Sequence, residues 1–143
     1  MSEFSPWEDI SDMHTKFGVR DWVQKQVNEG NYDILKKFIL FRMACIKEEL
    51  DETNDAIAKS DAEETVDGLI DILVFTIGTL DAFGVNANQA WKEVHRANIS
   101  KNVGIKETRP NPFGLPDLIK PDGWEGPTHN ENTGIIEEVL KKG

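Results

Sequence analysis

Residues 47–77 read KEELDETNDAIAKSDAEETVDGLIDILVFTI, and the fold follows from how that stretch divides. Upstream of it, Ile34, Leu35, Phe38, Ile39, Phe41, Met43, Ile46, Leu50 and Ile57 recur at intervals of three and four with few breakers, which predicts a long helix from Tyr32 to about Lys59. Asp61 is placed to cap a second helix, running from Ala62 through Asp67, Leu69, Ile70, Leu73, Phe75 and Ile77 to Phe83, where Gly84 stops it. The short connection around Ser60 makes the two antiparallel neighbours.

Outward from this pair, Ser5, Pro6 and Glu8 form an N-cap, first-turn proline and capping glutamate, predicting an opening helix to about Phe17 and Gly18. A fourth helix is expected over Asn88 to Lys101, and Thr133 to Lys142 can add a short terminal one. Between Pro6 and Pro110 the chain has no proline; Pro110, Pro112, Pro116, Pro121 and Pro127 then follow closely. Helix is excluded from Thr108 to Thr128, so this segment reads as an extended tail, with Phe113, Leu115, Leu118, Ile119 and Trp124 as its apolar anchors. No interval alternates with period two. The expected fold is all-α: one domain over 1–143, a bundle of about four helices over 1–107 and an extended Pro-rich tail over 108–143.

Sixteen Lys and Arg against 26 Asp and Glu leave a net charge of −10. That disfavours a nucleic-acid polymer as partner, because such binding draws on cationic surface. Cys45 is the single cysteine, so neither a disulfide framework nor a cysteine zinc site is expected. The start lacks a basic segment followed by an apolar one, and no apolar run is long enough to span a bilayer. A cytoplasmic chain without a membrane partner is the expectation.

The charge is concentrated. From Lys47 to Asp71 ten carboxylates stand against two lysines, a net of −8. At 100° per residue Glu48, Glu49, Glu52 and Asp55 share about a third of one helix circumference, and Glu64, Asp67 and Asp71 about a sixth of the next. Acidic runs are commonly solvated faces, but Asp71 lies in a helix apolar on nearly all sides. It should therefore be buried by neighbours, with no Lys or Arg at three or four residues to pair with it. A divalent cation would satisfy it. Oxygen donors without His or Cys favour Mg2+ or Mn2+, and a phosphate chain is the usual further ligand of partly hydrated magnesium.

Glu48, Glu49 and Glu52 followed by Glu64 and Asp67 resemble the EExxE and ExxD signatures of the all-α nucleoside triphosphate pyrophosphohydrolases, the MazG-like, phosphoribosyl-ATP pyrophosphohydrolase-like and dimeric dUTPase superfamily. Arg42 ahead of the first motif, Met13 to Gly18, Glu93 to Lys101 and Lys120 to Trp124 are similar to its short MazG-like members. The likeness covers about residues 10 to 127. Aligned on the apolar run after Asp71, the second motif would instead leave Gly68 where a glutamate belongs, so the register stays open between Glu64 with Asp67 and Asp67 with Asp71.

The resemblance implies a Mg2+-dependent (or Mn2+-dependent) hydrolase that cleaves a nucleoside triphosphate between the α and β phosphates. Glu48, Glu49, Glu52, Glu64, Asp67 and Asp71 would hold roughly two or three ions, and Glu48 or Glu49 would orient or deprotonate the attacking water. Asn98, Lys101, Arg96, Lys120 and Trp124 are the expected substrate contacts. A purine deoxynucleotide such as dGTP is the expected preference, with phosphoribosyl-ATP or dUTP as alternative substrates. The superfamily also implies a homodimer or homotetramer. The competing class is a non-catalytic acidic helical module that binds a basic protein.

Overall fold

The structure, a computed structural model, describes residues 5–109 and 111–143; Pro110, counted above among the tail prolines, lies outside the described residues. It is all-α, with six helices among the described residues: α1 (Pro6–Lys16), α2 (Val19–Asn28), α3 (Tyr32–Ala58), α4 (Ala62–Ala82), α5 (Ala87–Ile99) and α6 (Ile136–Lys142). Two three-residue strands, β1 (Asn102–Gly104) and β2 (Asp117–Ile119), complete it. The chain forms two compact units, one up to Ala87 together with Thr133–Gly143 and the other over Asn88–Asn132.

In the first unit the local signals act as expected at α1, α3 and α4. Ser5 Oγ accepts from the Glu8 amide with Pro6 at the first turn, and Asp61 accepts from the Glu64 amide at 3.1 Å to open α4. Gly84, at φ +76°, turns the chain out of α4. One helix has no counterpart in the sequence reading. Gly18 does not merely end α1; at φ +78° it redirects the chain into α2. That helix is largely polar and buries only Val23 and Gln26, with Val19 and Val27 partly covered, so its apolar stripe is too thin to stand out.

The core of this unit is Val23, Leu35, Ala82, Phe83 and Val139, flanked by Phe38, Ile39, Ile135 and Ile136. Val139 belongs to α6, so the last helix is a core element rather than the end of a tail. Ile135 N donates to Phe83 O at 2.9 Å, and Gly134 passes so near the Phe83 and Gly84 backbone that a Cβ would collide with it.

The second unit holds α5 beyond Ala87 and an antiparallel pair in which Asn102, Val103 and Gly104 face Ile119, Leu118 and Asp117. The apolar anchors expected in this segment are corrected in part. Phe113 and Leu115 are 80% and 66% exposed and Leu118 is exposed as well. A polar knot holds the loop instead: the buried Asp117 carboxylate accepts from the Lys106 amide at 3.1 Å and from the Arg109 guanidinium, which keeps it below the usual carboxylate range. Trp124 does act as an anchor, its Nε1 donating to Ala97 O and Ser100 Oγ, both at 2.9 Å.

Candidate functional site

α3 and α4 pack along each other, and a close approach lies level with the acids. Buried Thr53 donates to Glu49 O at 2.6 Å. Opposite it, buried Gly68 has no room for a Cβ, which would run into the Thr53 side chain. This accounts for glycine at 68: any side chain there would wedge the helices apart. The approach brings the α3 carboxylates toward Asp67 and Asp71 on either side of Gly68.

Glu49 is where the fields meet. Its carboxyl is pushed above the usual glutamate range, first by burial and then by the charges of Asp71, Glu52, Glu48 and Asp67. The structure therefore brings five of the six candidate ligands into one electrostatic group. Glu64 stands in the exposed first turn of α4, and its charge is not among those acting on Glu49. Among the described residues none of the six makes an ion pair; the nearest lysine in sequence, Lys47, is taken by Asp51 at 2.8 Å.

The expectation that neighbours bury α4 all round Asp71 is corrected. Asp71 is half-buried, while Val66, Leu69 and Ile70 on the same helix are exposed. The carboxylate is partly open to solvent rather than sealed in. Among the described residues no three His, Cys, Asp or Glu side chains are gathered closely enough to hold a metal ion. The group is thus a convergence of like charge rather than a closed cage. Its donor chemistry nevertheless suits a hard divalent cation, being all carboxylate oxygen and uncompensated by any protein cation.

Farther along the same two helices the arrangement is different. Asp81 of α4 accepts from His14 Nδ1 at 2.8 Å and from Arg20 Nη2 at 2.5 Å. His14 is 2% exposed; burial lowers its proton affinity, against the pull of Asp81. Arg42 of α3 lies over the Phe38 ring at 5.0 Å and the Phe75 ring at 5.8 Å. The sequence offered Arg42 and His14 within a resemblance and missed Asp81 and Arg20. An aspartate within an apolar helix was the one signal, and its partners are 67 and 61 residues away.

In the second unit Trp124 gathers the other candidates. Lys101 Nζ stands 5.1 Å and Lys120 Nζ 5.2 Å from the centre of its ring, and Lys101 donates to Asn98 Oδ1 at 3.1 Å. Arg96 is engaged in bracing: it donates to Glu93 at 2.9 Å and to Gly126 O at 3.2 Å, while Glu93 accepts from the Thr128 amide at 3.1 Å.

A family model described as phosphoribosyl-ATP pyrophosphohydrolase matches residues 23–98, a little over half of the chain. The match takes in all six acids, Arg42 and Asp81, and ends at Asn98. No curated protein matches the chain.

Proposed function

The chain belongs to the phosphoribosyl-ATP pyrophosphohydrolase family, a family of pyrophosphate-bond hydrolases, and from that premise we propose that it cleaves a nucleoside triphosphate between the α and β phosphates with the help of divalent cations. The observation that carries the proposal is the group around Glu49, four further carboxylates acting on it and none of the five in an ion pair among the described residues. Glu48, Glu49, Glu52, Asp67 and Asp71 would hold Mg2+ or Mn2+, with Glu64 at the margin. Such ions would supply charge neutralisation for the triphosphate oxygens and a lowered pKa for the attacking water. Glu48 or Glu49 orients that water or takes its proton as the new bond to the α-phosphorus forms. The bridging bond breaks and pyrophosphate leaves with the electron pair. In the second unit, Lys101 and Lys120 with Asn98, Arg96 and Trp124 are the residues we propose for substrate contact. A purine deoxynucleotide such as dGTP is the proposed preference, and phosphoribosyl-ATP, favoured by the matched family, is the second reading.

A second copy of the chain is the proposed partner. Leu40, Phe41 and Met43 on α3 and Val66, Leu69 and Ile70 on α4 are all exposed, apolar side chains on both long helices that association would cover. A light-scattering mass of 16 kDa would refute this part. No single described helix is long and apolar enough to cross a membrane, and we place the chain's work in the cytoplasm.

The deciding experiment incubates the full chain and Mg2+ or Mn2+ with canonical and deoxynucleoside triphosphates, dUTP and phosphoribosyl-ATP, reading pyrophosphate. Release that stops on chelation is expected. Release from none of them overturns the proposal and favours the protein-binding module.

A further inference from the structure

At its acidic end the seam between α3 and α4 is spaced by small residues. Thr53 and Ala56 are the buried residues of α3 there and Gly68 that of α4, whereas the other end buries Leu35 and Ile77. The separation of packed helices follows the side chains at their contact. Glycine weakens a helix interior relative to alanine, yet nothing larger fits at 68. A Cβ there would overlap the Thr53 hydroxyl oxygen and lie 3.1 Å from Thr53 Cβ. Thr53 has little freedom to turn aside, being 3% exposed and donating from its hydroxyl to Glu49 O at 2.6 Å.

Resting on the metal reading of the Glu49 group, we propose that the contact of Thr53 with Gly68 sets the gauge of that group, holding the α3 and α4 carboxylates at a separation suited to Mg2+ and too narrow for Ca2+. Both are positioning residues. The contact lies about one helical turn from the acids it would govern: Glu49 stands four residues before Thr53 and Glu52 one before it, while Asp67 stands one before Gly68 and Asp71 three after it. In antiparallel helices the steps to Glu49 and to Asp71 run the same way along the seam and rise about 4.5–6 Å. The charges of Asp67 and Asp71 duly reach Glu49 across it.

The distances involved are of one size. Oxygens on opposite sides of a cation stand about 4.1 Å apart around magnesium and about 4.6–5.2 Å apart around calcium. A methyl group at 68 pushes the helices apart by about 1 Å, the shift that brings its carbon into ordinary contact with Thr53. The α4 members of the group are aspartates, whose single methylene passes a backbone shift almost directly to the carboxylate. One methyl group therefore carries the seam from the span of one ion toward that of the other. Magnesium loses most by it, because it demands near-ideal octahedral geometry where calcium accepts larger and less regular shells.

The test is calorimetry of the full chain with Mg2+ and with Ca2+, below the unfolding temperature of each variant, alongside pyrophosphate release. The unaltered chain should bind Mg2+ more tightly than Ca2+. Gly68→Ala should weaken Mg2+ by about 10- to 100-fold and Ca2+ by less, and Thr53→Ala added to it should restore the ratio of the two dissociation constants. A folded Gly68→Ala with the ratio of the unaltered chain, or an unaltered chain that binds Ca2+ as tightly as Mg2+, would overturn the inference and leave the glycine a packing role alone. Should Gly68→Ala not fold, Thr53→Ala decides: without its spacer the seam closes and the ratio moves further toward magnesium, and an unmoved ratio overturns the inference. An unaltered chain that takes up neither ion overturns the metal reading and this inference with it. A shifted ratio in a chain that releases no pyrophosphate sustains the inference and sinks the hydrolase reading. Release with an unmoved ratio does the reverse.

Discussion

At one end of the seam between α3 and α4, Glu49 stands among Glu48, Glu52, Asp67 and Asp71, none of them in an ion pair among the described residues. Seven to ten residues away along the same helices, Asp81 is held between His14 and Arg20, and Arg42 is cushioned on two phenyl rings. The sequence thus places a solitary carboxylate and a crowd of them on one helix pair, and supplies partners only to the solitary one. Compensation from within marks the Asp81 carboxylate as scaffold. Its lack at the Glu49 end marks a place completed from outside, since like charges held together cost stability unless something binds them.

The sharpest way to break this comparison is to neutralise one acid at each end. Glu49→Gln or Asp67→Asn should lower kcat/KM by about 10²- to 10⁴-fold while leaving metal-free stability unchanged or raised. Asp81→Asn should cost about 1–3 kcal/mol of stability, discounted because Arg20 is partly exposed, as it removes the negative charge that His14 and Arg20 share. Urea unfolding in chelator together with pyrophosphate release checks both, and equal stability losses at the two ends would erase the distinction. Next in size is the response to metal. Mg2+ at a hundred times its dissociation constant should stabilise the chain by about 2.7 kcal/mol, an effect absent in Asp67→Asn and retained in Asp81→Asn. A melting temperature indifferent to both Mg2+ and Mn2+ would return the acids to the role of a solvated face.

Gly68 sharpens the geometry. Gly68→Ala gains helix propensity yet should destabilise by about 1–3 kcal/mol, because its methyl meets Thr53, whose own side chain is buried and short. The pair Thr53→Ala with Gly68→Ala should recover most of the loss. A destabilised Gly68→Ala that Thr53→Ala does not rescue would show that the approach of the helices at this level is not what glycine serves.

What the sequence disclosed, and what it concealed, follows the range of the interactions. The boundaries of α3 and α4 were legible because Asp61, Gly84 and the apolar spacing act within a few residues. The grouping of Glu49 with Asp67 and Asp71 was nearly so, since a three-residue connection fixes the antiparallel partner. Helix α2 was hidden by its thin apolar stripe, and β1 with β2 by strands of three residues, too short for alternation to show. The role of α6 was hidden because Val139 finds Phe83 only through the return of the chain from the second unit. Glycine at 68, a departure from the resemblance when read as a missing ligand, became intelligible once Thr53 stood opposite.

The smallest expected effect is in pH, and the two ends of the seam carry opposite signs. Glu49 is raised by folding, so its ionised form weakens the metal-free fold. That penalty is complete above the raised value and disappears as pH falls through it toward about 4.3, where the unfolded chain is also taking up protons. His14 is lowered by burial; its contribution is whole above about 6.5 and is lost as pH falls below that toward its folded value. A wild-type profile mixes the two. The difference between Glu49→Gln and wild type does not, because glutamine stands in for the protonated acid and leaves His14 in place. Measured as urea midpoints in chelator from pH 4 to 8, Glu49→Gln should be the more stable at pH 8 and converge on wild type near pH 4. A gap constant with pH would mean that Glu49 feels no excess of negative charge, and the contrast between the two ends of the seam would lose its electrostatic basis.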